Sequence, residues 1–245
     1  HGPPPSESTL QRALRELDPV WLAALITRIQ GHDQPAAVLD PVAVDGKTLR
    51  AADRPGAPLH VLELARHGDG ALLRLTAVPR TANEYSTSPV LLAGYDLTNR
   101  VVTGDAAFCQ RRLSDYIVQR GGAWLWAVKA NQPDLHDALA QHFAAPRGGP
   151  HPLTYQSHLT ASYGHGRWER RCLEVSPDLP PDLGWTGAAQ VIRRTTYRTE
   201  AGRDAVQVSY WLTSLTPAQA DAALLEQYCR GHWTIENQVH WVRDV

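Results

Sequence analysis

The chain has 245 residues, 43% hydrophobic and 20% charged, which suits one large packed domain or one domain with an insertion and excludes wholesale disorder. No run approaches the roughly 18 apolar residues of a membrane span, and the proline-rich start lacks a secretory apolar core. A net charge of −1 does not announce a nucleic-acid binder, and three cysteines without CxxC spacing (Cys109, Cys172, Cys229) exclude a disulfide framework and a zinc knuckle and fit a reducing compartment.

Taken in chain order, residues 8–31 carry leucines at helical spacing, and Pro19 divides them into two helices. Val42–Asp45 is a short buried-strand pattern that ends in a carboxylate beside Gly46. Leu59–Arg66 and Ala71–Val78 read as a hairpin across the turn His67-Gly68-Asp69-Gly70. Ser86–Tyr95 looks helical, and Val101–Asp105 is a further strand that again ends in aspartate. Gln110–Gln119 is an amphipathic helix, Trp124–Lys129 a strand, and Pro133–Phe143 a helix with proline in its first turn.

From residue 144 to 213, Gly-Pro clusters separate four β-rich runs: His158–Tyr163, Arg167–Val175, Ala188–Tyr197 and Ala205–Thr213. Thr216-Pro217 then opens a long helical stretch to the end, with Gly231 as its weak point. Four segments result: a helical lead over 1–36, the first part of an α/β core over 37–143, a β-rich insertion over 144–213 and a closing helix over 214–245. A hairpin followed by alternating strands and helices predicts a mixed sheet flanked by helices, the order of ribonuclease-H-like folds.

Charge is placed unevenly. Residues 100–132 hold five bases against two acids, and 147–203 hold eight arginines and three histidines against five acids. All but Lys47 and Lys129 of the 24 basic residues are arginine, so those two mark places where a compact ammonium is wanted. Asp45 and Asp105 each close an apolar strand beside a glycine, where α/β sheets collect ligand sites; singly, each also suits a cap or turn. On one helix His232, Glu236 and His240 share a face at spacing i, i+4, i+8, with Trp233, Asn237 and Trp241 on the adjacent stripe. The order is not HExxH, which disfavours zinc.

AVDGKTLR (43–50), VVTGDAAFCQ (101–110), WAVKANQPDL (126–135) and YCRGHWTIENQVHWVRDV (228–245), in that order, resemble the signature blocks of insertion-sequence transposases of the ISAs and H-repeat-associated group. The resemblance covers residues 9–245. It implies a ribonuclease-H-like core with a β-rich insertion ahead of the last catalytic helix. It also implies an acidic triad of Asp45, Asp105 and Glu236 that is both catalytic and metal-binding. Three carboxylates suit two Mg²⁺ or Mn²⁺ ions, phosphodiester hydrolysis and strand transfer at insertion-sequence ends. The partner implied is double-stranded DNA, both transposon ends and target, with a homodimer on DNA as one arrangement and no membrane. The setting implied is bacterial cytoplasm at the nucleoid. Lys47, Lys129, Asn131, Arg230, His232, Trp233 and Asn237 are the expected DNA contacts near the acids. Arg167, Arg170, Arg171, Arg193 and Arg194 are those of the insertion. Alternation along strands divides these arginines between two faces.

Two other readings remain open from sequence: a ribonuclease-H-fold nuclease without strand transfer, and an inactive DNA-binding remnant. Methionine is absent even at position 1 and the chain stops shortly after Glu236, so a fragment with a loosely held Glu236 and weak cleavage is expected.

Overall fold

The computed structural model describes residues 5–18, 21–22, 25, 28–29, 36–49, 59–145, 153–164, 166–181, 183–200 and 202–240. Helix α1 (Glu7–Glu16) accounts for the first predicted helix; much of the second, and Trp241, lie outside the described residues.

Strands β1 (Asp40–Leu49), β2 (Leu59–Arg66) and β3 (Leu72–Ala77) form an antiparallel meander, and β4 (Arg100–Gly104) and β5 (Ala123–Val128) run parallel to β1. β4 is buried along its whole length, as expected of a strand with neighbours on both sides and cover on both faces. β6 (Gln156–Gly164), β7 (Arg167–Ser176), β8 (Gln190–Glu200) and β9 (Arg203–Thr213) make the β-rich segment. β9 pairs antiparallel with β5, so all described strands join one sheet in the order β3-β2-β1-β4-β5-β9-β8-β7-β6. The result is a mixed sheet flanked by helices, the ribonuclease-H-like architecture the sequence predicts.

Side-chain alternation sends Val42, Val44, Leu62, Leu64, Val102, Trp124 and Trp126 to one face. There α2 (Glu84–Leu92), α3 (Arg111–Val118) and α4 (Pro133–Ala144) cover them. The other face presents Val101, Leu125, Leu173 and Ile192 to α5 (Ala222–Gly231), and Ala43 and Ala65 to Ile235 and Val239 of the segment that follows.

Three boundaries differ from the sequence reading. β1 does not stop at Asp45: the antiparallel ladder with β2 carries it to Leu49. α2 starts at Glu84, because the Asn83 and Ser86 side chains cap each other's backbone N–H groups at 3.0 and 2.8 Å. The long closing helix is not continuous. Thr216–Gln219 is a turn, α5 begins where the Asp221 carboxylate accepts the Leu224 N–H at 2.8 Å, and α5 ends at Gly231. After the turn at His232 and Trp233, residues Ile235–His240 wind as a π-helical turn. The expected i, i+4, i+8 face therefore does not persist, since a π turn closes i to i+5.

Candidate active site

Register places the first two acids. β1 and β4 pair in parallel up to Val44 opposite Gly104, and β4 and β5 up to Gly104 opposite Trp126. Asp45 and Asp105 are the next residues past that last pair, Asp45 still in the ladder with β2 and Asp105 in the turn after β4, both with parity opposite to Val44. Ala43 and Thr103 have that parity two residues earlier, and Lys129 follows the end of β5 with the same parity. The π-helical turn bearing Glu236 docks on the face of Ala43 through Ile235 and Val239.

Asp45 is largely enclosed. Its Oδ1 accepts the Gly46 N–H at 2.9 Å, and His240 Nδ1 stands 3.6 Å from Oδ2. Burial pushes the Asp45 carboxyl up to about 6; the Gly46 bond and His240 oppose the shift, while Glu84 and Glu236 reinforce it by charge repulsion. Glu236, itself exposed, is thus near enough to Asp45 for its charge to be felt. Asp105 opens a turn: its Oδ1 accepts the Ala107 N–H at 2.8 Å and its carbonyl accepts the Phe108 N–H at 3.1 Å. Among the described residues, no three His, Cys, Asp or Glu side chains form a group that could by itself hold a metal ion.

Several residues around the acids went unassigned in the sequence. Glu63 is fully buried on β2, opposite Asp45 in register, and lies 3.1 Å from His240 Nε2, so His240 bridges Glu63 and Asp45. A charged residue inside the apolar run LHVLELAR was the available signal for it. Glu84 lies over Gly46 and takes His60 Nε2 at 2.9 Å; any side chain at position 46 would overlap the Glu84 carboxylate. Nothing local in the sequence marks Glu84. Thr103 contacts two histidines, His67 Nε2 at 2.8 Å and His232 Nδ1 at 3.1 Å.

The expected DNA contacts fall into two groups. Lys129, Arg170, Arg230, Trp233 and Asn237 are exposed. Lys47 is half-buried on β1, and the Arg170 guanidinium lies 5.1 Å from the Tyr197 ring centre. The others have partners within the chain. Asn131 Nδ2 donates to the Ala106 carbonyl at 2.9 Å, and Gln132 donates to the Cys109 carbonyl, so these amides tie the segment after β5 to the turn of Asp105. His232 is enclosed, and burial lowers its pKa to about 4, leaving it neutral near pH 7. Arg167 and Arg198 reach the buried Glu169 at 3.1 and 2.8 Å, and Arg171 pairs with it as well. Arg193 binds Glu174 at 2.7 Å, and Arg194 lies 4.6 Å from the Trp211 ring centre.

Gly231 is explained by contact. The His67 ring presses on it, and a methyl group there would overlap Nδ1. Gly231→Ala is therefore expected to lower the urea midpoint, although alanine gains roughly 1 kcal/mol of helix propensity, because overpacking costs about 1–3 kcal/mol. Adding His67→Ala should recover part of the loss. A Gly231→Ala protein more stable than the parent would contradict this packing.

Fold and register together define a ribonuclease-H-like protein with one aspartate inside β1, where its pairing with β4 ends, and another just past β4. A family model described as the transposase DDE domain matches residues 38–245. The chain belongs to the DDE transposase family. It is similar to the candidate transposase YncI of Escherichia coli O157:H7, 27% identical over 98% of this chain and 63% of that protein. It is also similar to the H repeat-associated candidate transposase YhhI of Escherichia coli strain K12, 28% identical over 84% of this chain and 56% of that one. The chain thus spans 56 to 63% of the length of these relatives. A solved piggyBac transposase synaptic complex with hairpin DNA aligns with 95% of the chain and 46% of its own at TM-score 0.44 and 10% identity. No helix of the described residues is long and apolar enough to cross a membrane.

Proposed function

We propose that Asp45, Asp105 and Glu236 hold Mg²⁺ or Mn²⁺, and that the full protein containing this chain hydrolyses phosphodiesters at transposon ends and joins them to target DNA. The observation that supports this most is the register that pairs Val44 with Gly104, one residue before Asp45 and Asp105, on strands whose other face takes the Glu236 segment. The donors are all carboxylate oxygens, which suit a hard cation, and the Asp45 carboxylate is desolvated and repelled by Glu84 and Glu236, so a cation there is favoured. Magnesium commonly takes one or two protein carboxylates and completes its shell with water and phosphate oxygens, so a preformed three-ligand group is not required. When bound, the ions would activate the attacking water or 3′-hydroxyl and stabilise the leaving oxygen.

The chain's own residues would do the rest. Lys47 and Lys129 would act as point charges on the phosphate, and Arg230, Trp233, Asn237 and Arg170 would contact the duplex. Asn131, Arg167, Arg171, Arg193, Arg194 and His232 already have partners within the fold, and we assign them to shaping the site and the sheet. In this reading residues 1–36 are a helical lead, 37–143 the first part of the core, 144–213 an insertion and 214–245 the segment that closes the core. A homodimer on DNA in the bacterial cytoplasm fits the same reading. The test is relaxation of supercoiled plasmid by the full-length protein. Nicking is expected with Mg²⁺ or Mn²⁺ and is expected to stop with EDTA. Nicking that persists in EDTA would rule out the metal mechanism, and cleavage without any joining of labelled ends would favour a simple nuclease.

A further inference from the structure

We infer that the Thr103 hydroxyl is a hydrogen-bond junction, with His67 and His232 as donors to it, which positions the Glu236 segment against the strand that carries Asp105. The inference rests on the reading of Asp105 and Glu236 as metal-holding acids. Thr103 lies two residues before Asp105, and His232 four residues before Glu236. His67 follows β2 directly, and Val42 belongs to β1, so one side chain ties four segments around the site.

Donor arithmetic fixes how it works. A threonine hydroxyl has one proton to give and two lone pairs. Thr103 Oγ1 donates to the Val42 carbonyl at 3.3 Å, and a carbonyl can only accept. Its two remaining neighbours, His67 Nε2 at 2.8 Å and His232 Nδ1 at 3.1 Å, must then both donate. Both rings are neutral near pH 7, since burial lowers His67 to about 3 and His232 to about 4. A neutral imidazole carries one N–H and one bare nitrogen. The geometry therefore assigns the Nε2–H form to His67 and the Nδ1–H form to His232.

The packing agrees with this assignment. The bare Nδ1 of His67 is the atom against Gly231, where a proton would have least room. The ring also meets Tyr228 edge-on, at 6.4 Å between centres and 83° between planes. α5 is thus gripped at Tyr228, Gly231 and His232, all in its last turn or just beyond. The chain leaves α5 at Gly231 and begins the π-helical turn four residues later, at Ile235. Where that turn starts determines where Glu236 sits. Thr103, His67 and His232 are therefore positioning residues, acting on Glu236 through the end of α5.

Two measurements on the 245-residue chain test this. Long-range ¹H–¹⁵N correlation spectra at pH 7 should show His67 as the Nε2–H form and His232 as the Nδ1–H form. Mn²⁺ titration followed by electron paramagnetic resonance should show affinity falling about tenfold or more in Thr103→Val, the range for loss of an outer-shell partner. Thr103→Ser, which keeps the hydroxyl, should restore it, with circular dichroism confirming that each variant is folded. Parental Mn²⁺ affinity in a folded Thr103→Val, or His232 found as the Nε2–H form, would overturn the inference. Should Thr103→Val not fold, the tautomers of the parent protein still decide it. A parent chain with the assigned tautomers but no Mn²⁺ binding would instead overturn the reading of the acids, and the positioning role with it.

Discussion

Replacing Asp105 with asparagine is expected to lower Mg²⁺-dependent nicking by more than about 100-fold, because losing even an outer-shell partner of a metal costs roughly 10–100-fold. The substitution should leave the fold intact. The Asp105 side chain accepts the Ala107 N–H at 2.8 Å, and the asparagine Oδ1 can accept that same bond, so the turn after β4 survives. Nor does the change strip a partner from Asn131, which donates to the carbonyl of Ala106. Duplex binding should hold or tighten, since one negative charge leaves the surface proposed to meet phosphates. Plasmid nicking read on gels, beside binding read by fluorescence anisotropy, separates the two effects. An asparagine variant that cuts at the parental rate would remove Asp105 from the site.

Through His67, His232 and Asp45 alone, acidification from pH 6.5 to 4.5 is expected to cost the metal-free protein on the order of 3 kcal/mol of stability, because their protons differ between folded and unfolded states. His67 and His232 have folded pKa values near 3 and 4, below the ordinary 6.5. Below pH 6.5 the unfolded chain binds these protons and the folded chain does not. Their contribution is therefore complete above that pH and falls as pH falls, by about 1.4 kcal/mol per unit for each ring. Asp45 works in the opposite direction. Its folded value near 6 lies above the ordinary 3.8, so between those values the folded state holds the extra proton and gains stability as pH falls. Two rings outweigh one carboxyl, which gives the net loss. Urea midpoints at pH 7 and 4.5 measure it. His67→Gln should flatten the pH dependence, because glutamine can still donate to Thr103 yet does not titrate. Asp45→Asn should steepen it by removing the opposing group. A midpoint that does not move between these pH values would mean that the two rings are not neutral in the fold.

The β1–β5 part of the sheet was legible because short apolar runs bounded by turn residues are local features. Val42–Asp45, Val101–Asp105 and Trp124–Lys129 are such runs, and the two-residue period of a strand then gives Asp45, Asp105 and Lys129 the same parity. The β-rich segment was legible from its turns. The family blocks are what single out Asp45, Asp105 and Glu236 as the proposed acids.

What the sequence could not determine depends on contacts between distant residues. β1 runs on through Gly46, Lys47 and Thr48 because β2 supplies a ladder for them, and no apolar pattern there announces it. α5 ends at Gly231, where the His67 ring fills the place of a side chain; glycine inside a helical pattern signals weakness without saying what packs against it. Arg167, Arg171 and Arg198 look like a cationic surface when read along the chain. The antiparallel register of β7 and β8 sets Glu169 opposite Arg198, and three of these charges pair with that one buried carboxylate. By itself the sequence determined which residues carry charge and which face of a strand they occupy, because both are local. Which charges stay free, which are neutral and where Glu236 stands were decided by tertiary packing, because desolvation and pairing depend on neighbours brought in from other segments.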